Sequence, residues 1–189
     1  MHLVDVKQNE KIVIALDRPD ISLTTGGVST CICIMLKGRV GKMPYLAMYH
    51  WDGFDASFNK HASHAPSQAE NELDDLILYF SVFILEEMKQ FNKKNEEKPK
   101  LDAVYLFGGE HATEDVSGTE LEVETLRTAG NEIFKKYFCM SKKTTWVQEH
   151  YLTQGDQSLR LYFNASGVTR SYVDDVDIEE YSMQGSRFH

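Results

Sequence analysis

The segment LTTGGVSTCICIML, from Leu23 to Leu36, organises the rest of the chain. It contains the adjacent glycines Gly26 and Gly27, then small hydroxyl residues, and then Cys31 at the start of an apolar run. The apolar run has the composition of a strand that is buried on both faces. Because glycine adopts backbone conformations that other residues disfavour, the sequence predicts a sharp turn just before the cysteine.

A second apolar segment, Tyr45 to Tyr49, follows a predicted hairpin loop from Lys37 to Pro44 and ends at His50. Two antiparallel strands joined by a short loop place the end of the second strand beside the start of the first. We therefore expect His50 to lie near Cys31.

These residues have the chemistry of a nucleophilic catalytic site. A free thiol is mostly protonated at neutral pH, and a neighbouring imidazole activates it by taking the proton. A third polar group then holds the imidazole in one tautomer. The sequence nominates Cys31 as nucleophile, His50 as base and Thr25 as the orienting group. The alternative interpretation is a small buried hydrophobe at Cys31 and a surface histidine at His50.

Composition excludes several functional classes. The chain has 189 residues and a net charge of −9, which disfavours nucleic acid as a partner, since phosphate binding needs clustered Lys and Arg. No apolar run approaches the roughly 20 residues of a membrane span. The three cysteines indicate a reducing compartment. His61 and His64 lack two further ligands at plausible positions, so we expect no metal there.

Short β-branched and apolar runs predict further strands, and two segments with helical spacing predict long helices. Ser67 and Glu70 form a capping box before the first helix, whose apolar stripe ends at Phe91. The second helix is predicted from Thr119 to Phe138. The predicted strands are Lys11–Leu16, Leu101–Phe107, Thr144–Tyr151, Leu159–Phe163 and Val168–Val173.

This order predicts a mixed α/β fold of the α+β class, with a largely antiparallel sheet or sandwich core flanked by two long helices. We expect a single domain over residues 1–189, with its core at about 11–173 and an acidic tail at 174–189.

The element order resembles the CheD family of chemoreceptor glutamine deamidases. The motif is also similar to the catalytic domains of the cytotoxic necrotizing factors and related glutamine-deamidating toxins. In these families a Thr lies six residues before the catalytic Cys in a Gly-rich segment, and the His ends the next strand. Here Thr25 lies six residues before Cys31, and His50 follows nineteen residues after it. The FGG segment of CheD corresponds to 107–109, and its late strand and hairpin correspond to Arg160–Gly167.

The resemblance implies a CheD-like fold and a protein-glutamine glutaminase that uses a Cys–His–Thr triad. Such an enzyme converts a glutamine of a partner protein to glutamate through a thioester, without a cofactor. We expect a monomer without membrane insertion. The N-terminal segment lacks the apolar core of a secretory signal. We therefore expect the protein either in the cytoplasm of the cell that produces it or, as a bacterial effector or toxin, delivered into a target cell. The alternatives are a non-catalytic binding module of the same fold, a transglutaminase and a peptidase.

Overall fold

A computed structural model describes residues 2–18, 20–29, 31–52, 69–91, 98–110, 120–151 and 157–174. These residues form nine strands and two helices. In chain order they are β1 (His2–Asp5), β2 (Lys11–Ala15), β3 (Ile21–Val28), β4 (Ile32–Val40), β5 (Met43–Trp51), α1 (Ala69–Phe91), β6 (Lys100–Glu110), α2 (Glu120–Tyr137), β7 (Thr145–Tyr151), β8 (Gln157–Asn164) and β9 (Gly167–Asp174).

The strands form two mixed sheets. The larger sheet has the order β2-β5-β4-β6-β7, and the smaller has the order β1-β3-β8-β9. Each sheet contains one parallel pair, β6–β7 in the larger and β1–β3 in the smaller, and its other pairs are antiparallel. The predicted α+β class is therefore confirmed.

One face of the five-stranded sheet packs against the two helices. Alternate residues of β4 and β5 point to this side, because successive side chains of a strand point to opposite faces. They join apolar residues of α1 and α2 in one buried cluster. Phe80 of α1 is fully buried there, and its ring lies 5.5 Å from the ring of Tyr49.

The opposite face of the same sheet contributes to a second buried cluster, which also contains residues of the four-stranded sheet. From the larger sheet it includes Cys33, Met35, Leu46, Met48 and Phe107. From the smaller sheet it includes Leu23, Val28, Leu159, Leu161 and Phe163. Residues 23 and 33, ten positions apart in the sequence, thus enter one core from two different sheets.

The predicted turn at Gly26 and Gly27 is wrong. Both glycines lie within β3, which continues to Val28. The register against β8 shifts between Thr25 and Val28, because β3 has one more residue there than its partner strand. Gly27 has a φ of 71°, which glycine tolerates, so the pair forms a β-bulge instead of a turn.

Other boundaries also differ from the predictions. The β4–β5 connection is only Gly41 and Lys42, so both strands extend into the predicted loop from Lys37 to Pro44. Strand β1 precedes residue 11, where the sequence predicts that the core of the domain begins. Strand β6 continues through the glycines at 108 and 109 to Glu110.

Several sequence predictions fall outside the described residues. These are the capping serine at 67, the histidines at 61, 64 and 111, and the tail from 175 onward. No helix in the described part of the chain is long and apolar enough to cross a membrane.

Candidate active site

Thr25 and His50 meet across the space between the two sheets. Thr25 lies two residues after Leu23 on β3 and therefore shares its core-facing side, whereas Thr24 lies on the opposite side. His50 lies two residues after Met48 on β5 and shares the side that faces the smaller sheet. Thr25 Oγ1 is 2.8 Å from His50 Nδ1, and both residues are about 1% exposed.

The neighbours of the Thr25 hydroxyl determine the histidine tautomer. Thr25 Oγ1 also donates a hydrogen bond to the carbonyl oxygen of Val6 at 2.6 Å. A hydroxyl has a single proton, so toward His50 it acts as acceptor and the Nδ1–H group is the donor. Nε2 then holds the lone pair of the neutral ring. Nε2 is buried and has no hydrogen-bond partner among the described residues.

Burial keeps this imidazole neutral. Desolvation lowers the pKa of His50 from 6.5 to about 4, and the charge of Asp52 opposes the shift without cancelling it. Burial disfavours the cationic form, because an imidazolium loses its hydration in the protein interior. At neutral pH the His50 ring is therefore neutral, with one unprotonated nitrogen.

Cys31 lies one residue before β4, at the same end of the sheet as His50. The β4–β5 register pairs Ile32 with Trp51 and Cys33 with His50. Cys31 is buried, with 9% of the residue exposed. Its carbonyl oxygen accepts a hydrogen bond from the N–H of Gly109 at 3.1 Å.

Cys33 has a different environment from Cys31. It is completely buried in the core between the sheets. Burial, and secondarily the nearby Cys31, raise the pKa of the Cys33 thiol far above its usual value. A thiol that stays protonated is inert, so Cys33 is a packing residue. The third cysteine, Cys139, is exposed and follows α2.

The structure adds partners that sequence reasoning missed. The Val6 carbonyl and the loop that follows it contact Thr25 and His50, but a backbone acceptor leaves no residue-type signal in a sequence. The glycines at 108 and 109 belong to the FGG segment, and only the fold reveals their contact with Cys31. Among the described residues, no three His, Cys, Asp or Glu side chains are grouped as metal ligands.

Neither a known protein family nor a curated protein matches the sequence. Among solved structures, the chain is similar to the C-terminal domain of CNFy from Yersinia pseudotuberculosis, with 10% sequence identity and a TM-score of 0.30. The similarity covers 91% of this chain and 62% of that chain. This TM-score is too low to indicate a shared fold, and nothing about function follows from it.

Proposed function

We propose that the chain is a cysteine-dependent protein glutamine deamidase that uses Cys31, His50 and Thr25. The observation that carries this proposal is the direction of the hydrogen bonds at Thr25. Its hydroxyl donates to Val6 and accepts from His50 Nδ1, which leaves Nε2 as the basic nitrogen. A buried histidine with one nitrogen fixed and the other without a described partner has the arrangement of a general base.

The position of Cys31 supports its role as nucleophile. Extending the side-chain alternation of β4 by one residue places Cys31 on the same side as Cys33, which is paired with His50. Cys31 is 9% exposed and Cys33 is 0% exposed, and Cys31 lies at the end of the sheet that carries His50.

The proposed reaction proceeds in two stages. Cys31 Sγ attacks the carboxamide carbon of a substrate glutamine, and its proton passes to His50 Nε2. Backbone N–H groups near Cys31 stabilise the oxyanion. The C–N bond then breaks, and His50 donates its proton to the departing ammonia.

The second stage hydrolyses the thioester. His50 takes a proton from water, the water oxygen attacks the thioester carbon, and the C–S bond breaks. The proton returns to Cys31, so one amide and one water give one carboxylic acid and one ammonia. The product glutamate adds a negative charge to the partner, which is enough to alter a helix face or an interface.

A glutamine amide is the proposed substrate because the Thr–Cys–His spacing and the FGG segment resemble those of glutamine deamidases. The proposed partner is a protein that bears the target glutamine. The proposed place of action is a cytosol, either that of the producing cell or that of a cell into which the protein is delivered. We propose that the enzyme acts as a CheD-like single domain and a monomer.

The test uses a set of glutamine-containing peptides and a protein extract as substrates, in water enriched in heavy oxygen. Mass spectrometry should find heavy oxygen in new glutamate side chains, together with released ammonia. Cys31→Ser and His50→Gln should abolish both signals. Cleaved peptide bonds would indicate a peptidase, and amine incorporation without glutamate would indicate a transglutaminase. If the wild type releases no more ammonia and forms no more labelled glutamate than Cys31→Ser, an enzymatic role is contradicted.

A further inference from the structure

The loop between β1 and β2, Val6 to Glu10, contacts both members of the Thr25–His50 pair. The carbonyl of Val6 accepts the Thr25 hydroxyl proton. The N–H of Asn9 donates to the carbonyl of His50 at 2.6 Å, and the N–H of His50 donates to the carbonyl of Glu10 at 3.1 Å. The same short loop therefore fixes the hydroxyl and both backbone polar groups of the histidine.

Asn9 has an unusual backbone conformation. Its φ is 61°, and no other non-glycine residue in the described ranges has a positive φ. Asparagine tolerates this left-handed conformation better than most residues, whereas β-branched residues are strained in it. The Asn9 side chain also accepts a hydrogen bond from the N–H of Asp52 at 3.2 Å. Asn9 thus contacts the chain at His50 and again two residues beyond it.

Asn9 lies where the chain passes from one sheet to the other. Pairing of β2 with β5 runs from Ala15 to Lys11, which lies opposite Tyr49. Before Asn9, the N–H of Val6 donates to the carbonyl of Thr24 in the four-stranded sheet at 2.8 Å. After Asn9, the chain enters the five-stranded sheet as β2. The left-handed residue is therefore located where the loop passes from the sheet that carries His50 to the sheet that carries Thr25.

We infer that Asn9 is a positioning residue, which holds the His50 ring in register with the Thr25 hydroxyl and thereby fixes the basic nitrogen at Nε2. A shift of the loop would move the Val6 carbonyl away from Thr25 and release the hydroxyl proton. The hydroxyl could then donate to Nδ1, and the ring would exchange its tautomer. The catalytic consequence of this positioning rests on the proposed function, but the geometric consequence does not.

The experiment compares three variants. Asn9→Val strains the left-handed backbone and removes the side-chain acceptor, whereas Asn9→Gly keeps the backbone conformation. Gly41→Val is the matched control, because Gly41 has a φ of 58° in the β4–β5 turn, at the other end of β5 from His50. Asn9→Ala replaces Asn9→Val if the latter does not fold.

The first readout is the nitrogen NMR spectrum of the His50 ring, assigned by its loss in His50→Gln. The wild type, Asn9→Gly and Gly41→Val should show the neutral Nδ1–H tautomer. Asn9→Val or Asn9→Ala should show a mixture of tautomers. An unchanged tautomer in Asn9→Val or its substitute Asn9→Ala, or the same mixture in Gly41→Val, would overturn the inference.

The second readout is deamidation. Asn9→Val should reduce kcat by about 10- to 100-fold with little change in KM, since misplacing a catalytic group by about 1 Å costs this much. Asn9→Gly should restore most of kcat. If the wild type shows no deamidation while its tautomer depends on Asn9, the proposed function is wrong and the positioning role stands. If the wild type is active and its tautomer and kcat are indifferent to Asn9, only the positioning role is wrong.

Discussion

The direction of one hydroxyl hydrogen bond decides which nitrogen of His50 is basic. The Thr25 hydroxyl sets this direction, because it donates its single proton to the Val6 carbonyl and accepts the proton of His50 Nδ1–H. A tautomer fixed by a buried neighbour costs no reorganisation during the reaction, which is a general advantage of preorganised polar groups.

Replacing the hydroxyl without changing the side-chain shape should expose this role. We expect Thr25→Val to reduce turnover at least about 10-fold, because His50 loses its acceptor and its preferred tautomer. The same variant should lower the free energy of unfolding by about 1–3 kcal/mol, since two buried polar groups lose their partner. Enzyme assays and urea denaturation measure the two effects.

Thr24→Val is the matched control, because Thr24 lies on the other side of β3. We expect it to leave turnover near the wild-type value. A larger loss of turnover in Thr24→Val than in Thr25→Val would contradict the assignment.

The buried imidazole also predicts how stability depends on pH. Folding lowers the pKa of His50 from 6.5 to about 4, so below pH 6.5 the unfolded chain binds a proton that the folded chain excludes. The contribution of the neutral His50 ring to the free energy of unfolding is fully present above pH 6.5. It decreases by about 3 kcal/mol in total as the pH falls toward 4.

Denaturation at a series of pH values checks this prediction. The decrease in unfolding free energy between pH 6.5 and 4 should be smaller in His50→Gln than in the wild type. His2→Gln, an exposed control, should keep the wild-type dependence. An identical pH dependence in His50→Gln and the wild type would show that the imidazole is not desolvated.

At the scale of single elements, the end of β6 determines where Cys31 lies. A Cβ atom at Gly108 would be 2.1 Å from the Cys31 carbonyl oxygen and 2.8 Å from Cγ1 of Val28. Gly108 also has a φ of 101°, which other residues rarely adopt. The close approach of β6 to Cys31 therefore requires glycine at this position.

Gly108→Ala should displace Cys31 and lower the free energy of unfolding by more than the roughly 1–3 kcal/mol of backbone strain alone. Its turnover should fall as well. Gly26→Ala is the control, because a Cβ atom there would meet only ordinary contacts with the Arg160 side chain, at 3.5 Å and beyond. Equal unfolding free energies for the two variants would contradict a special role of Gly108.

The elements most visible in the sequence are those with regular apolar spacing. Both helices, β4, β5 and the late hairpin were predictable, because their apolar residues follow periods that their burial requires. The glycines of β3 were misread as a turn, since Gly-Gly permits a turn and a bulge equally. Strand β1 was missed because its side chains are mostly exposed and its pairing with β3 is parallel and nonlocal.

At the scale of the whole molecule, the candidate site lies where two sheets meet. Thr25 belongs to the four-stranded sheet and His50 to the five-stranded sheet, so their hydrogen bond joins the two. The spacing of Thr25, Cys31 and His50 nominated all three residues. It did not reveal that the contact crosses between sheets, because sheet membership depends on the pairing of β3 with β8, more than 130 residues later.

The loop from Val6 to Glu10 illustrates the same limit. Its contacts with Thr25 and His50 are made mostly by backbone atoms, which every residue possesses. Only Asn9 gives a residue-type hint, since asparagine is enriched in the left-handed conformation. The chemistry of the site was therefore readable from its side chains, whereas the support of the site was not.

The measurement that tests the central claim most directly is the rate at which iodoacetamide alkylates Cys31 near neutral pH. Cys139→Ser is the background, because Cys139 is exposed and would compete for the reagent. Tandem mass spectrometry locates the label. If His50 is the base for Cys31, the label should accumulate on Cys31 and not on Cys33, and His50→Gln should slow it at least about 10-fold. Equal rates with and without His50, or preferential labelling of Cys33, would contradict the account.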